Sequence, residues 1–300
     1  MAAVPMTVLI AGATGLIGTE LTHQLEAHGH SVRRLVRREA RAADEVSWAP
    51  SDATIDARAL DGVDAVVNLT GATTARIPWT PAYKRAILQS RIDTTKTLAE
   101  AIVVAEHPPA VFVSGSAVGY YGSRPGEVLN ETASKGDGFL ADVVEAWELA
   151  ASIASPVTRV VTARTGLVVA GAGGAFTPLS LFTKLGLGAR YGSGQQQWPW
   201  ISLHDEAAAL HHLLTSELSG AVNLAGPTPA TSEETTRALA ETLHRPHPWA
   251  IPAGLISVGA GEAGRALLLP DQRVTPKALL DDGFEFAHET VESAIDAAFS

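Results

Sequence analysis

Residues 7–18 read TVLIAGATGLIG: a short apolar strand, three glycines set three apart, and the first residues of a helical pattern. No other stretch of the chain restricts its fold so tightly. Gly12 permits a tight turn, Gly15 lets the backbone approach a pyrophosphate, and Gly18 allows a helix to pack close to a strand. The free N–H groups of such a turn, with Thr14, Leu16 and Ile17 beside the glycines, face phosphates at the positive end of the helix. A glycine triad between a strand and a helix therefore predicts a dinucleotide site.

The pattern that follows agrees. Residues 15–28 have helical periodicity, with Leu16, Ile17, Leu21 and Leu25 on one face and Gly29 as a stop. Strand-like runs at 31–36, 46–48, 64–69, 110–114 and 159–163 alternate with helix-like runs at 81–104 and 139–152. That alternation predicts an α/β fold, a Rossmann-type doubly wound parallel sheet covered on both faces. After residue 170 the character changes. Glycine-rich loops at 171–174 and 186–194 precede helices at 204–214 and 232–243, with a strand at 221–224 between them. Pro246, Pro248 and Pro252 break the chain, and two short helices flank Gly283. The expected division is an NADP-binding domain over 1–170, to which 200–226 returns. Residues 171–199 and 227–300 then form a smaller C-terminal substrate lobe.

Composition narrows the function. The net charge is −10 without a basic stripe, which excludes nucleic acid as a partner. The absence of cysteine excludes disulfides, thiolate nucleophiles and Cys-ligated zinc, and fits a reducing cytoplasm. No apolar run reaches 18 residues, so no membrane span is expected, and the N-terminus reads as a folded strand rather than a leader. His211-His212 and His244/His247 lack partners at metal-ligand spacing, so no metal site is expected. A cytoplasmic monomer or homodimer acting on a small molecule is the expectation.

The second strand, SVRRLV, is followed by Arg37 and Arg38, where an NAD site usually has an acid. A guanidinium suits a 2′-phosphate better than a hydroxyl, so NADP(H) is the predicted cofactor, with Arg37 the principal contact. The alternative is a pair of solvated edge charges. Small residues end the strand at 64–69. Leu69, Thr70, Gly71 and Ala72 leave room for a ligand there, or simply form a turn.

The triad spacing, G-x-x-G-x-x-G, resembles that of the extended short-chain dehydrogenase/reductase superfamily. In that superfamily the strand corresponding to 110–114 ends in a catalytic Ser or Thr, and the next helix carries Tyr-x-x-x-Lys. A phenol has a pKa of about 10, too high for a base near neutrality, and a lysine one helical turn away lowers it. Here the strand delivers SGSAVGYYG at 114–122, but the helix FLADVVEAWELAAS has no tyrosine, and no lysine lies between Lys135 and Lys184. Phe139/Val143 or Leu140/Val144 stand where the pair would be. The candidate catalytic groups are thus Ser116, Tyr120 and Tyr121. Tyr120 has Arg124 four residues on, although Gly122 and Pro125 oppose a helix there. Lys135 is expected to be a solvated loop lysine.

A closer resemblance rests on GATGLIG, DAVVNLTGA, WTPAYKRAILQSR, SAVGYYG, GDGFLADVVEAWE, RTGLVV, GLGARYGSGQQQWPWISLHD, GAVNLAGPTPAT and LLLPDQRVTPKALLDDGFEF. Together they are similar to the atypical short-chain dehydrogenase subgroup labelled epimerase family protein, or nucleoside-diphosphate-sugar epimerase-like. The resemblance covers nearly the whole chain and implies a small C-terminal domain of unassigned function, an NADP-type site and no Tyr-Lys pair. It implies cofactor contacts at the glycine turn, Arg37, Leu69, Thr70, Arg91 and Val168. In the second half Arg164, Gln197, Trp198 and Trp200 are candidates for lining the substrate site, the tryptophans by stacking or else by core packing. His204-Asp205 reads as the first turn of a helix after Ser202.

The function expected is an NADP(H)-dependent oxidoreductase or epimerase of a small carbonyl or nucleotide-sugar-like substrate. Proton transfer would fall to Ser116, a tyrosine or water. The alternative is an NADP(H)-sensing regulatory protein without turnover.

Overall fold

The computed structural model describes residues 4–56 and 58–300. In chain order the first half contains β1 (Thr7–Ala11), α1 (Leu16–Ala27), β2 (Ser31–Val36), β3 (Glu45–Ala49), β4 (Thr54–Ile55), β5 (Ala65–Asn68) and α2 (Pro81–Val104). Then come β6 (Val111–Ala117), β7 (Val128–Leu129), α3 (Phe139–Ser152) and β8 (Arg159–Thr165). The main sheet has the order β13-β8-β6-β5-β1-β2-β3-β4, with β13 (Gly220–Leu224) arriving from the second half. Every pairing is parallel except the terminal β3–β4. Successive side chains of a strand point to opposite faces, so each central strand feeds two cores. Val8, Ile10, Val67, Val113 and Val161 meet Leu21 and Leu25 of α1 and Leu210, Leu213 and Leu214 of a helix from the second half. Leu9, Val66, Phe112 and Val160 meet Leu98 and Ile102 of α2 and Ala151 of α3. This is the doubly wound α/β sheet expected from the strand–helix alternation.

Two strands run further than their sequence implied. β6 continues through Ser116 and Ala117, and β8 through Arg164 and Thr165, because the two pair in register, Ser116 with Arg164 and Ala117 with Thr165. The pair Thr54–Ile55, too short to show a pattern, adds the antiparallel edge.

The second half contains β9 (Leu167–Val169), α4 (Phe176–Lys184), β10 (Ala189–Tyr191), β11 (Gln197–Trp198), β12 (Trp200–Ser202) and α5 (Leu203–Thr215). After β13 come β14 (Ala230–Thr231), α6 (Ser232–Thr242), β15 (Trp249–Ile251), α7 (Ala253–Gly259) and α8 (Gly261–Leu267). The end is β16 (Arg273–Val274), α9 (Lys277–Asp281) and α10 (Val291–Phe299). α5 lies on the main sheet beside α1, whereas the short strands pair off as β9–β12, β10–β15, β11–β14 and β7–β16. Ser202 caps α5 by accepting from the Asp205 N–H at 2.9 Å. Asp205 itself is buried and accepts from the backbone N–H groups of Ala287 (2.8 Å) and His288 (3.1 Å), which ties the tail to the sheet. Among the described residues, no helix is long and apolar enough to cross a membrane, and no group of three or more His, Asp or Glu could hold a metal.

At the amino end of the sheet, three histidines meet between α1, β2 and α5. His30 Nδ1 accepts from the Met6 N–H at 3.1 Å, so its Nε2 carries the proton and donates to His211 Nε2 at 3.1 Å. The His28 ring lies 4.9 Å from that of His211. Burial pushes His211 down to about 4, helped by His30, His28 and His212, and burial with His28 also lowers His30. Below pH 6.5 the unfolded chain takes up protons that the folded chain refuses. This contribution to stability is therefore complete above pH 6.5 and is lost as the pH falls toward 4. The melting temperature is expected to drop between pH 7 and pH 5, and the drop should be shallower in His211→Gln, measured by thermal unfolding.

Candidate functional site

The carboxyl ends of β1, β5, β6 and β8 lie side by side at one edge of the parallel sheet, where open α/β sheets form their ligand crevice. Its floor is the glycine turn. Gly12 has φ +89°, and a Cβ there would press on the Leu69 carbonyl at 3.1 Å. A Cβ on Gly18 would collide with the Gly12 carbonyl oxygen and lie 2.8 Å from the Ala13 Cα. The turn closes through the Gly15 N–H donating to Gly12 O at 2.9 Å. Gly15 caps α1 with no side-chain acceptor, and the first turn of the helix holds no acid. The N–H groups of Leu16, Ile17 and Gly18 therefore lack intrahelical acceptors, and the positive end of the dipole is uncompensated. Thr14 is exposed beside them. This is a fitting cradle for a pyrophosphate.

Four arginines crowd strand β2 and its end. Arg33 donates to Asp61 O at 2.7 Å, and Arg34 Nε to Asp44 at 2.7 Å. Arg38 grips both oxygens of Glu45 at 2.8 and 2.7 Å, which with the Arg41 N–H holds that carboxyl down to about 2. Arg38 Nη1 and Nη2 are thus engaged with Glu45, and Nη1 also with Glu39 O. Arg37 is exposed and has no hydrogen-bond or ion-pair partner among the described residues.

Asn68–Ala72 is braced from α2. Asn68 donates to Thr95 Oγ1 at 2.9 Å and accepts from Thr70 Oγ1 at 2.5 Å. Ser90 Oγ accepts from the Ala72 N–H at 2.9 Å. Arg91 Nη1 donates to Ala72 O and Ile87 O, both at 3.0 Å, and its guanidinium packs against the Trp147 ring. Burial lowers Arg91 to about 10. A Cβ on Gly71 would stand 3.1 Å from its Cζ, so this turn sits directly on the cation. Val168, in β9, is half-buried against the main core.

Beside the crevice lies a polar network that the sequence showed only in fragments. Ser116 Oγ donates to Glu148 Oε1 at 2.6 Å. Arg164 holds the same carboxylate at both oxygens, Nε to Oε1 at 2.8 Å and Nη2 to Oε2 at 2.9 Å. Arg164 Nη1 also donates to Tyr121 OH at 3.0 Å, and that hydroxyl donates to Asn223 Oδ1 at 2.7 Å. The guanidinium stacks 3.6 Å from the Tyr120 ring centroid. Burial opposes the Arg164 charge, but Glu148 and Tyr121 more than offset it, and the cation is held more firmly than usual.

The cation missing from α3 is thus supplied by strand β8. Glu148 was the residue missed. It lies on α3 four residues beyond Val144 and eight beyond Leu140, hence on the face where a Tyr-Lys pair would stand. That spacing was its only signal. A second unforeseen acid, Glu206, is fully buried under the end of β8. Its Oε1 accepts from Thr165 Oγ1 at 2.7 Å, and burial pushes it up to about 8.

Several expected positions change meaning. Tyr121 is 0% exposed, and burial raises its pKa despite Arg164 and Asn223, so it is a sealed neutral phenol out of substrate reach. Tyr120 is half-buried, and its hydroxyl has no partner among the described residues. Arg164 is 4% exposed and saturated by Glu148, so it supports the site rather than lining a substrate pocket. Trp198 and Trp200, 5% and 1% exposed, pack with Phe176, Leu239 and Ile295 in the core of the smaller lobe. With Trp198, Trp200, Gly226 and Gln272, Gln197 borders a cavity of about 10 Å³, the size of one water. Lys135 is not simply solvated; it bridges Asp142 and Glu145 at 2.7 Å each.

Residues 8–225 match the NAD dependent epimerase/dehydratase family, and residues 251–298 match a domain of unknown function, DUF1731. The chain is 43% identical over 293 residues to epimerase family protein Mb2239 of Mycobacterium bovis, covering 97% of each. Its fold is similar to the crystal structure of human epimerase family protein SDR39U1 (isoform 2) with NADPH. The TM-score there is 0.90 at 33% identity, over 98% of this chain and 99% of that one. It is also similar to a nucleoside-diphosphate sugar epimerase from Corynebacterium glutamicum, with TM-score 0.81 at 32% identity, over 99% of this chain and 58% of that one.

Removing Glu148 leaves the Arg164 cation buried and unpaired. Glu148→Ala is therefore expected to lower unfolding stability by about 3–5 kcal/mol, measured by urea denaturation. Arg38→Ala, at the exposed pair, should leave the unfolding midpoint nearly unchanged in the same assay.

Proposed function

The chain belongs to the NAD dependent epimerase/dehydratase family, and from that premise we propose that it is an NADP(H)-binding oxidoreductase or epimerase. Its substrate class is a small carbonyl compound, nucleotide-sugar-like in kind. The observation that carries the reading is the glycine turn, where Gly18 admits no Cβ and the first turn of α1 offers uncommitted N–H groups. The unpaired Arg37 beyond β2 supports a 2′-phosphorylated cofactor. So does the NADPH carried by the human relative at 33% identity. When bound, the cofactor supplies hydride transfer.

The residues of the chain do the rest. Gly12, Gly15 and Gly18 let the backbone approach the pyrophosphate, with Thr14, Leu16 and Ile17 around it. Arg37 neutralises the 2′-phosphate. Leu69, Thr70, Gly71 and Ala72 border the crevice, Arg91 braces them from beneath, and Val168 closes its far side. Ser116 and Glu148 take over the proton handling of the absent Tyr-Lys pair. Ser116 Oγ donates its hydrogen bond to Glu148 Oε1, which leaves its lone pairs for the substrate hydroxyl, and Arg164 fixes the carboxylate in place. Tyr120, its hydroxyl uncommitted, is the remaining phenol beside them. In this reading residues 1–170 with 200–226 hold the cofactor, and 171–199 with 227–300 shape the substrate site.

Calorimetry with NADPH, NADP⁺, NADH and NAD⁺ tests the cofactor. The phosphorylated pair is expected to bind about tenfold or more tighter, a margin of about 1.4 kcal/mol that Arg37→Ala should erase. Equal affinity for all four in the wild type defeats the assignment. Ser116→Ala is expected to slow turnover on a carbonyl panel by about 10²–10⁴ while leaving NADPH affinity unchanged. Binding without turnover by the wild type would instead favour a cofactor-sensing role.

A further inference from the structure

Around α4 the smaller lobe presents an apolar surface that the lobe itself does not cover. α4 buries Phe176 and Leu179 in the lobe core. Its other side is apolar too. Leu181, Phe182 and Leu185 stand at i, i+1 and i+4, so they share one side of the helix, and they are 54%, 49% and 65% exposed. A helix that is apolar all round is normally buried.

The turn after the helix extends this surface. Gly186, at φ +76°, lets the chain fold back, and the Leu187 N–H donates to Phe182 O at 2.9 Å. Leu187 is 48% exposed. Trp249, 56% exposed, donates its indole Nε1–H to Gly186 O at 3.4 Å, which lays the ring against the same turn. With about 200 Å² to bury per large side chain, these five at half exposure present roughly 500 Å². The largest apolar patch of a monomer is about 300–600 Å² and is often functional. A standard protein interface takes about 800 Å² from each partner, so the five side chains supply most of one.

Charge decides what covers this face. Residues 171–189 contain one charged residue, Lys184. Its Nζ lies 5.9 Å from the centroid of the Phe299 ring, which holds it toward α10. Interface cores are poor in charge and rich in aromatic rings, as Phe182 and Trp249 are here. A chain of net charge −10 whose one cation in this segment leans to α10 is poorly suited to an anionic lipid surface. A two-fold interface sets a patch against its own copy, and an uncharged patch meets itself without repulsion.

We propose that Leu181, Phe182, Leu185, Leu187 and Trp249 form a homodimer interface, covered by the same face of a second copy of this chain. The interface lies outside the glycine turn and the Ser116 network, so the dimer forms whether or not NADPH is bound.

Sedimentation equilibrium of the full chain, without NADPH and with it, tests this. The wild type is expected to be a dimer in both. Leu181→Glu with Leu185→Glu is expected to raise the dissociation constant at least about a hundredfold, or about 2.7 kcal/mol, with an unchanged circular dichroism spectrum. Should that double variant unfold, Phe182→Ser is the milder change, and at least about a tenfold weakening is expected of it. Leu149→Glu, at a 64% exposed site on α3, is expected to leave the dimer intact. A wild type that stays monomeric up to about 100 μM, where an interface worth even about 6 kcal/mol would be half assembled, overturns the proposal. So does a dimer that survives the α4 substitutions, whether or not Leu149→Glu breaks it.

Discussion

The approach of α1 to β1 at Gly18 and Gly12 is the constraint from which the rest of the site follows. A single Cβ on Gly18 would strike the Gly12 carbonyl, so the helix can begin this close to the strand only because that atom is absent. The closeness brings the uncapped first turn of α1 to the carboxyl edge of the sheet, where β5 and β6 also end. Everything that borders the crevice is then placed by register. Asn68 stands beside Ala11 and Ser114, and Ser116 beside Arg164. A shift of one residue in β6 would turn Ser116 to the opposite face and away from Glu148.

That register also explains how a buried ion pair is tolerated. Ser116 and Arg164 lie on adjacent strands and face α3, so Glu148 meets a hydroxyl and a guanidinium at once. Desolvating two charges costs several kcal/mol, and only close geometry with further hydrogen bonds recovers it. Here both carboxylate oxygens and three guanidinium nitrogens are engaged, and the Tyr120 ring covers the cation. Pairs of this kind add little net stability relative to apolar packing. What they do is fix the position of every member.

The fold was legible because its signals are local. The glycine triad, the helical periodicity of 15–28 and the buried runs at 64–69 and 110–114 each report their own backbone. The site was legible only where a motif is contiguous. Arg37 and Arg38 look alike in sequence. The difference between them is Glu45, seven residues beyond Arg38 and brought to it by the pairing of β2 with β3. Trp198 and Trp200 likewise looked like ligand platforms, because a single sequence does not show that α6 and α10 close over them. Glu148 was hidden for a different reason. A search for a tyrosine and a lysine at one spacing passes over an acid on the same helix face, and the cation it pairs with comes from a strand sixteen residues later.

The identity of that cation decides which group can handle a proton. A lysine beside a tyrosine, with no counter-ion of its own, puts a full positive charge next to the phenol and draws its pKa down. Arg164 is bound at short range by Glu148, so much of its field is cancelled before it reaches Tyr121. Burial then prevails, and the Tyr121 pKa rises rather than falls. An arginine also cannot give up its proton, so it cannot itself act as acid or base. With a phenol that stays neutral and a cation that stays charged, the other short hydrogen bond in this network runs from Ser116 Oγ to Glu148 Oε1 at 2.6 Å. In the proposed reading, the departure from Tyr-x-x-x-Lys moves the acid/base position from the helix tyrosine to the strand serine and its carboxylate.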